Sequence, residues 1–188
     1  ALKAATTGWG TVAVGHSAAL AQTTGDNNVA VGYQALLTNV TGWGVTAVGS
    51  DAAKVSTVNH TTAFGYSALK ANTTGASNTA VGSMALLANT TGHYNVGVGY
   101  EALNDNTTGK ESVAIGYKAL TVLTTNDGCV AVGFEAGLKT TGAKNTLVGS
   151  EACKEITSGA SNVCIGWKTG DTLTTGDNNI VIGSTAEP

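Results

Sequence analysis

Hydrophobic and polar positions recur along this chain with a 17-residue period, and a glycine that follows a β-branched or aromatic residue marks every copy. The spacing between successive anchor glycines is 17 in eight intervals and 16 in two. Because the register recovers after each short copy, we expect the copies to stack as coils, with a turn absorbing the missing residue. The anchor glycines, which number the coils from 1 to 11, are Gly15, Gly32, Gly49, Gly65, Gly82, Gly99, Gly116, Gly133, Gly149, Gly166 and Gly183.

Each copy carries a short alternating segment before its anchor glycine. The residues one and three positions before the anchor are β-branched or aromatic, as in Val98 and Val96, and the residue between them is small, usually Ala. This period-two alternation predicts a β-strand of only about five residues. After the anchor, an Ala three positions later is often followed by Leu. That segment is too short for a helix of its own, so we expect a second short strand or an irregular arm.

Polar residues also occupy fixed positions in the repeat. Thr-Thr-Gly or a close variant follows most anchors by about ten residues, as in residues 73–75, and its Gly predicts a tight turn with a left-handed backbone. The anchor glycine should be a second corner or a place of close backbone approach. Asn recurs four positions before the anchor, as in Asn78 and Asn95, which predicts an internal ladder of stacked amides.

Together these positions predict an all-β fold, a parallel β-solenoid (β-roll) of eleven 17-residue coils that forms a single domain over residues 1–188. Coils that rise by about 4.8 Å each would make a rod roughly 50 Å long. The thin interior of such a coil cannot hold every apolar position of the repeat. At least one apolar column should therefore face outward and serve as a surface for self-association.

Composition and charge limit the classes of partner that the chain is expected to bind. Charged residues are 11% of the chain, against about 25% in an average protein, and the net charge is -3 with nine Lys and no Arg. A chain without a basic footprint is not expected to bind nucleic acid. No apolar run approaches the roughly 20 residues of a membrane helix, so we expect no membrane insertion, and the first residues do not read as a secretion leader.

The three cysteines, Cys129, Cys153 and Cys164, include no C-x-x-C pair. We expect them to be buried free thiols that act as small hydrophobic residues. Neither a zinc site nor the G-G-x-G-x-D calcium motif is present, so the sequence predicts no metal and no cofactor.

The segments NNVAVGYQALLTNVTG, SNTAVGSMALLANTTG and ESVAIGYKAL resemble the head repeats of trimeric autotransporter adhesins, the YadA-like left-handed β-roll. They are similar, too, to the repeat regions of phage tail-fibre-like proteins that end in an endosialidase-type intramolecular chaperone. The likeness covers all eleven copies, although adhesin heads have shorter repeats. It implies a parallel homotrimer of left-handed solenoids that binds a cell surface, hence an extracellular location on a virion tail fibre or a bacterial cell surface.

No catalytic constellation stands out around the three histidines, so we predict that the chain is not an enzyme and has no catalytic residues. Residues just beyond the turn vary most between copies and include several aromatic side chains, which makes them the ligand-binding candidates. The alternative is that they are turn residues without a ligand. These candidates are Trp9, Trp43, His60, His93 and Tyr94.

Three function classes follow. The first is a structural and attachment segment of a trimeric fibre or adhesin, with a cell-surface glycan or receptor as ligand. The second is a self-assembling filament whose subunits stack end to end. The third, less favoured, is an ice-binding solenoid, suggested by the recurring Thr of residues such as Thr73 and Thr90.

The aromatic column that follows the anchor, such as Tyr117, could stack on carbohydrate or form a packing seam. The sequons at Asn39, Asn59, Asn72, Asn89 and Asn106 follow from the repeat and indicate little about glycosylation.

Overall fold

The computed structural model describes residue 1 and residues 7–184, and it confirms an all-β parallel solenoid of about eleven coils. One strand per coil pairs in parallel with the strand of the next coil, so that all strands form a single sheet in chain order. The strands are β1 (Val12–Val14), β2 (Val29–Val31), β3 (Thr46–Val48), β4 (Thr62–Phe64), β5 (Thr79–Val81), β6 (Val96–Val98), β7 (Val113–Ile115), β8 (Val130–Val132), β9 (Thr146–Val148), β10 (Val163–Ile165) and β11 (Ile180–Ile182).

The short copies keep this register. Thr46 of β3 pairs with Thr62 of β4, one position closer in the chain than the partners in most other strand pairs, such as Val29 and Thr46. The backbone N–H of Thr57 still bonds to Thr73, so the two coils remain aligned up to that point. Immediately afterwards Val58 occupies the place of the turn glycine, because its carbonyl lies beneath Gly42. The turn therefore absorbs the deletion, as predicted.

The segment after the anchor glycine is an irregular arm, as expected, and no helix occurs within residues 7–184. In coil 5, Asn89 N–H donates to Leu86 O to close a turn. Leu86 N–H donates to Ala102 O of the next coil at 3.0 Å, which continues the parallel ladder outside the sheet. Met84 and Leu86 have φ values of 60° and 52°, a left-handed conformation that costs about 1–2 kcal/mol per residue. Stacked hydrogen bonds of this kind hold the arm in place from coil 1 to coil 9.

Each anchor glycine lies at a corner of its coil, where the backbone of the next coil also approaches closely. Their φ values run from 124° to 143°, a region that residues with side chains rarely adopt. In addition, a Cβ placed on Gly32 would lie only 2.5 Å from the carbonyl oxygen of Gly49 in the next coil. Both reasons for glycine therefore apply at the same position.

The predicted left-handed backbone at the turn glycine is wrong. Turn glycines such as Gly159 are not left-handed, and the left-handed residue lies two positions later, for example Ser161 with a φ of 58°. The turn glycine is needed for space, since a Cβ on Gly159 would lie 2.5 Å from Gly176 O. Coils stacked at the inter-strand spacing leave no room there for a side chain.

Small and aliphatic side chains fill the interior. The central residue of most strands, such as Ala80, is fully buried, together with the arm residues three and four positions after the anchor, such as Ala85 and Leu86. The predicted Asn ladder is confirmed. Asn95 N–H donates to Asn78 Oδ1 at 2.9 Å, and Asn78 Nδ2 donates to the turn carbonyl of Gly92 at 2.7 Å. The buried amides of this ladder thus tie each strand to the turn of the next coil.

A second Asn ladder, which the sequence analysis missed, lies seven positions after the anchor. Asn89 Nδ2 donates to Asn72 Oδ1, and Asn106 Nδ2 donates to Asn89 Oδ1, both at 2.8 Å. These asparagines and Asn39 are fully buried, so four of the five sequons cannot accept a glycan in the folded chain. The signal was the recurrence of Asn, Gln or Ser at this position in the first six coils.

The expectation of three free thiols is wrong for two of them. Cys153 and Cys164 form a disulfide across the interior, with Cα atoms 6.1 Å apart, while Cys129 is buried and free. Cys153 lies four positions after its anchor and Cys164 two positions before the next. Those positions face each other across the coil, as Leu86 and Gly97 do.

Candidate functional site

One column of the outward face of the sheet, the residue directly before each anchor glycine, is apolar in every coil. Because side chains alternate across a strand, burial of the small central residue turns the β-branched residues on either side of it toward solvent. Phe64 is 54% exposed and Ile165 40% exposed, although both belong to the most regular apolar column of the repeat. We call this surface, with the residue that follows each anchor, the strand face. It confirms that at least one apolar column faces outward.

Aromatic rings extend the strand face around the corner of the coil. Tyr100 stacks on Tyr117 with ring centroids 5.4 Å apart, and Tyr117 stacks on Phe134 at 5.2 Å, with interplanar angles of 13° and 9°. Stacked rings cover each other's faces and leave mainly their edges to solvent. This arrangement suits a packing seam better than a platform for sugar rings.

The strand face is large for a surface that nothing covers. Eleven strands at about 4.8 Å, with a width near 15 Å, make a surface of roughly 750 Å². The largest apolar patch on a typical monomer is about 300–600 Å², and each partner in a standard interface contributes about 800 Å². The strand face therefore has the dimensions of a protein–protein interface.

Charged residues border this face two positions after the anchor. Lys118 lies 3.5 Å from Glu101, and Lys154 pairs with Glu135 and with Glu151. The pKa of Lys118 is raised by Tyr117 and then by Glu101, and the pKa of Tyr100 is raised by its hydrogen bond to Glu101. The border thus carries ion pairs, which give the strand face a polar rim.

The candidate ligand residues lie on a different surface, the turn edge, formed by the residues five and six positions before each anchor. Trp9 is 79% exposed and Tyr94 62% exposed. Trp43 contacts His60 of the next coil edge-on, with ring centroids 4.2 Å apart. His93 lies beside Tyr94, with ring centroids 6.0 Å apart. The five candidates share one edge, but among the described residues they form two ring pairs, with Trp9 outside both.

His93 also has a structural contact that sequence reasoning missed. Its Nδ1 accepts the backbone N–H of Ala76 in the preceding coil at 3.0 Å. Asp26 accepts the N–H of Trp9 in the same way, at 2.7 Å. A side-chain acceptor of this kind recurs six positions before the anchor in every second coil from coil 2 to coil 8. The four acceptors are Asp26, Asn59, His93 and Asp127.

The recurring Thr hydroxyls are engaged within the rod. Thr73 Oγ1 donates to Thr90 O, and Thr90 Oγ1 donates to Thr107 O, both at 3.0 Å. Each of these hydroxyl groups donates a hydrogen bond to the backbone of the next coil. Stabilisation of the stacked coils therefore explains the recurring Thr without an ice-binding function.

Neither a metal-binding group of three His, Cys, Asp or Glu side chains nor a helix with the length and hydropathy to cross a membrane occurs in the described part of the chain. Comparisons with family models, with curated proteins and with solved structures gave no match.

Proposed function

We propose that this chain is a structural and attachment segment of an extracellular fibre or surface adhesin, assembled as a parallel homotrimer of left-handed solenoids through the strand face. One observation carries the proposal: the residue before each anchor glycine is apolar and at least partly exposed in every coil, although the interior is filled. Covering such a surface removes apolar area from water, which is the main driving force of association.

The shape of the strand face favours a partner of the same kind. Its rows repeat once per coil over a length of roughly 50 Å, and the rings of coils 6 to 8 lie about 5 Å apart. A second copy of this chain has the same rise per coil and can match every row. Three parallel copies related by cyclic symmetry would bury all three strand faces and leave none of them exposed.

The disulfide supports an extracellular location. Disulfides persist in oxidising environments and are rare in the cytosol, and the bond between Cys153 and Cys164 is fully buried. The attachment role is assigned to the turn edge, where Trp9, Trp43 and Tyr94 offer rigid aromatic contact area to a glycan or receptor. The proposed role involves no catalysis, cofactor, nucleic acid or membrane insertion.

The assembly is tested by measuring the mass in solution with light scattering. We expect three times the chain mass of 18.6 kDa for the wild type. Val98→Asp places a charge on the strand face and should give a folded monomer, since an unpaired charge is costly in a buried interface. Val122→Asp, the matched control on a half-exposed arm position, should leave the trimer intact.

A monomeric wild type, or Val98→Asp with an unchanged mass, would contradict the proposal. A mass that grows steadily with concentration would favour the end-to-end filament instead. The attachment role is tested separately on a glycan array, where Trp43→Ala should lose a signal that Trp43→Phe retains. If both variants bind like the wild type, the turn edge is not the ligand site.

A further inference from the structure

A groove on the arm side of the rod lies outside both surfaces described above. It has a volume of about 390 Å³, within the range of about 300–1,000 Å³ that is usual for small-molecule sites. Its lining comes from the residues five and six positions after the anchor in coils 3, 4 and 5. These are Lys54, Val55, Lys70, Ala71, Leu87 and Ala88.

The groove exists because two successive coils carry a small residue where most other coils carry a larger one. Ala71 and Ala88 form its floor, whereas the same position in the following coils holds Asp105 and later Lys139. Val55 and Leu87 supply apolar walls. The aliphatic stems of lysine side chains also pack well along such surfaces. A hydrocarbon chain would therefore meet mainly carbon atoms along the length of the groove.

Charge at the rim gives the groove a polarity. Lys54 and Lys70 lie 3.3 Å and 3.2 Å from the two carboxylate oxygens of Asp51. Burial raises the pKa of Asp51, but hydrogen bonds and charges from Lys70 and Lys54 outweigh burial and lower that pKa. Asp51 is the only acid within ion-pair distance of either lysine among the described residues. Two ammonium groups share one carboxylate, which leaves one positive charge uncompensated.

We propose that this groove binds a free single-chain amphiphile with one negative charge, such as a medium-chain carboxylate. The hydrocarbon chain lies over Ala71 and Ala88, and the carboxylate lies at the lysines. Binding of this kind is independent of the trimer and of glycan attachment, because neither the strand face nor the turn edge contributes a lining residue.

The test is calorimetric titration of the full chain with sodium decanoate below its micelle concentration, at neutral pH. We expect saturable binding, and weaker binding of decyltrimethylammonium, which has the same chain but the opposite charge. Lys70→Gln should weaken decanoate binding by about threefold, the scale of one exposed ion pair. The same variant should leave decyltrimethylammonium binding no weaker than in the wild type.

Filling the groove provides the sharper variant. Ala71→Leu occupies the floor and should reduce decanoate affinity by about tenfold or more. Ala21→Leu is the matched control, because Ala21 is half-buried at the same repeat position in coil 1 and does not line the groove. Thermal melting checks that both variants fold. The proposal is overturned if decanoate shows no saturable binding, if the cation binds equally well, or if the two leucine variants lose affinity alike.

Discussion

Coils 4 to 6 and coils 7 to 10 have the same backbone but different interiors. At the position seven residues after the anchor, coils 4 to 6 bury Asn72, Asn89 and Asn106 as a hydrogen-bonded stack. The same position in the following coils holds Leu123, Thr140, Ile156 and Leu173. The core of one solenoid is thus filled in two ways, by amides that hydrogen-bond to one another and by aliphatic side chains.

The boundary between the two interiors shows what each solution requires. Asn106 Oδ1 is buried and has no hydrogen-bond partner, because the next coil offers Leu123 instead of a further amide. Thr140 Oγ1, enclosed among the aliphatic coils, is also unpartnered. Each unsatisfied buried group costs about 1–3 kcal/mol. An amide ladder therefore stabilises its middle members most, whereas aliphatic residues contribute independently of their neighbours' identity.

Asn89→Leu is the largest expected effect, because it breaks the amide ladder at its centre. It removes the donor to Asn72 Oδ1 and the acceptor for Asn106 Nδ2, and it should lower the free energy of unfolding by roughly 3 kcal/mol. Asn106→Leu, at the boundary, should cost about half as much, since its own oxygen is already unpartnered. Urea denaturation measures both. Equal losses would contradict the interpretation that the ladder acts as a unit.

The disulfide is the second largest contribution and belongs to the aliphatic coils. Replacing Cys153 and Cys164 together by Ala should lower the free energy of unfolding by about 2–3 kcal/mol, as for the closure of a short loop. Hydrogen exchange should show the loss in coils 9 to 11 and not in coils 4 to 6. Uniform loss of protection over the whole rod would show that the two interiors do not unfold separately.

Moving the boundary should have a smaller effect. Leu123→Asn places an amide next to Asn106 Oδ1 and offers it a donor, whereas in the Asn106→Leu background the same amide lacks that partner. Leu123→Asn loses aliphatic burial in both backgrounds, but it should be less destabilising in the wild type by about 1–2 kcal/mol, the value of a satisfied buried oxygen. Paired melting curves measure the difference. The reverse order would mean that Asn106 Oδ1 gains nothing from an adjacent amide.

The smallest effect concerns Cys129, which replaces Asn in the other ladder. Its thiol donates to Gly142 O at 3.2 Å, as Asn95 donates to Gly109 O, and burial raises its pKa. Since the folded chain disfavours the thiolate, this contribution to stability is complete at neutral pH. It is lost as the pH rises above the pKa of an unfolded thiol. The difference in unfolding free energy between wild type and Cys129→Ala should therefore shrink from neutral to alkaline pH. A constant difference would contradict the assignment.

Much of this architecture could be read from the repeat. The glycine period, the alternation before Gly99 and the Asn at position 95 predicted the coils, the strand and one ladder, since each depends on neighbours that repeat with the same spacing. The second ladder was missed because Asn72 and Asn89 lie in Asn-Thr-Thr segments that read as surface turns. The candidate ligand residues were chosen for their position just beyond the turn, and their role in binding stays a prediction. The backbone contact of His93 was not foreseen, because its partner Ala76 lies one full coil earlier and donates only a backbone N–H.

The period, the strand positions and the need for glycine at the corners follow from residue type and spacing alone. Which side of each strand faces inward depends instead on how the folded coil packs. Alternation groups Val96 with Val98 on one side and Gly97 on the other, but it does not say which side is the core. The narrow coil admits only small side chains from the strand beside the leucines of the arm. That limit on space turns the β-branched residues outward and creates the strand face.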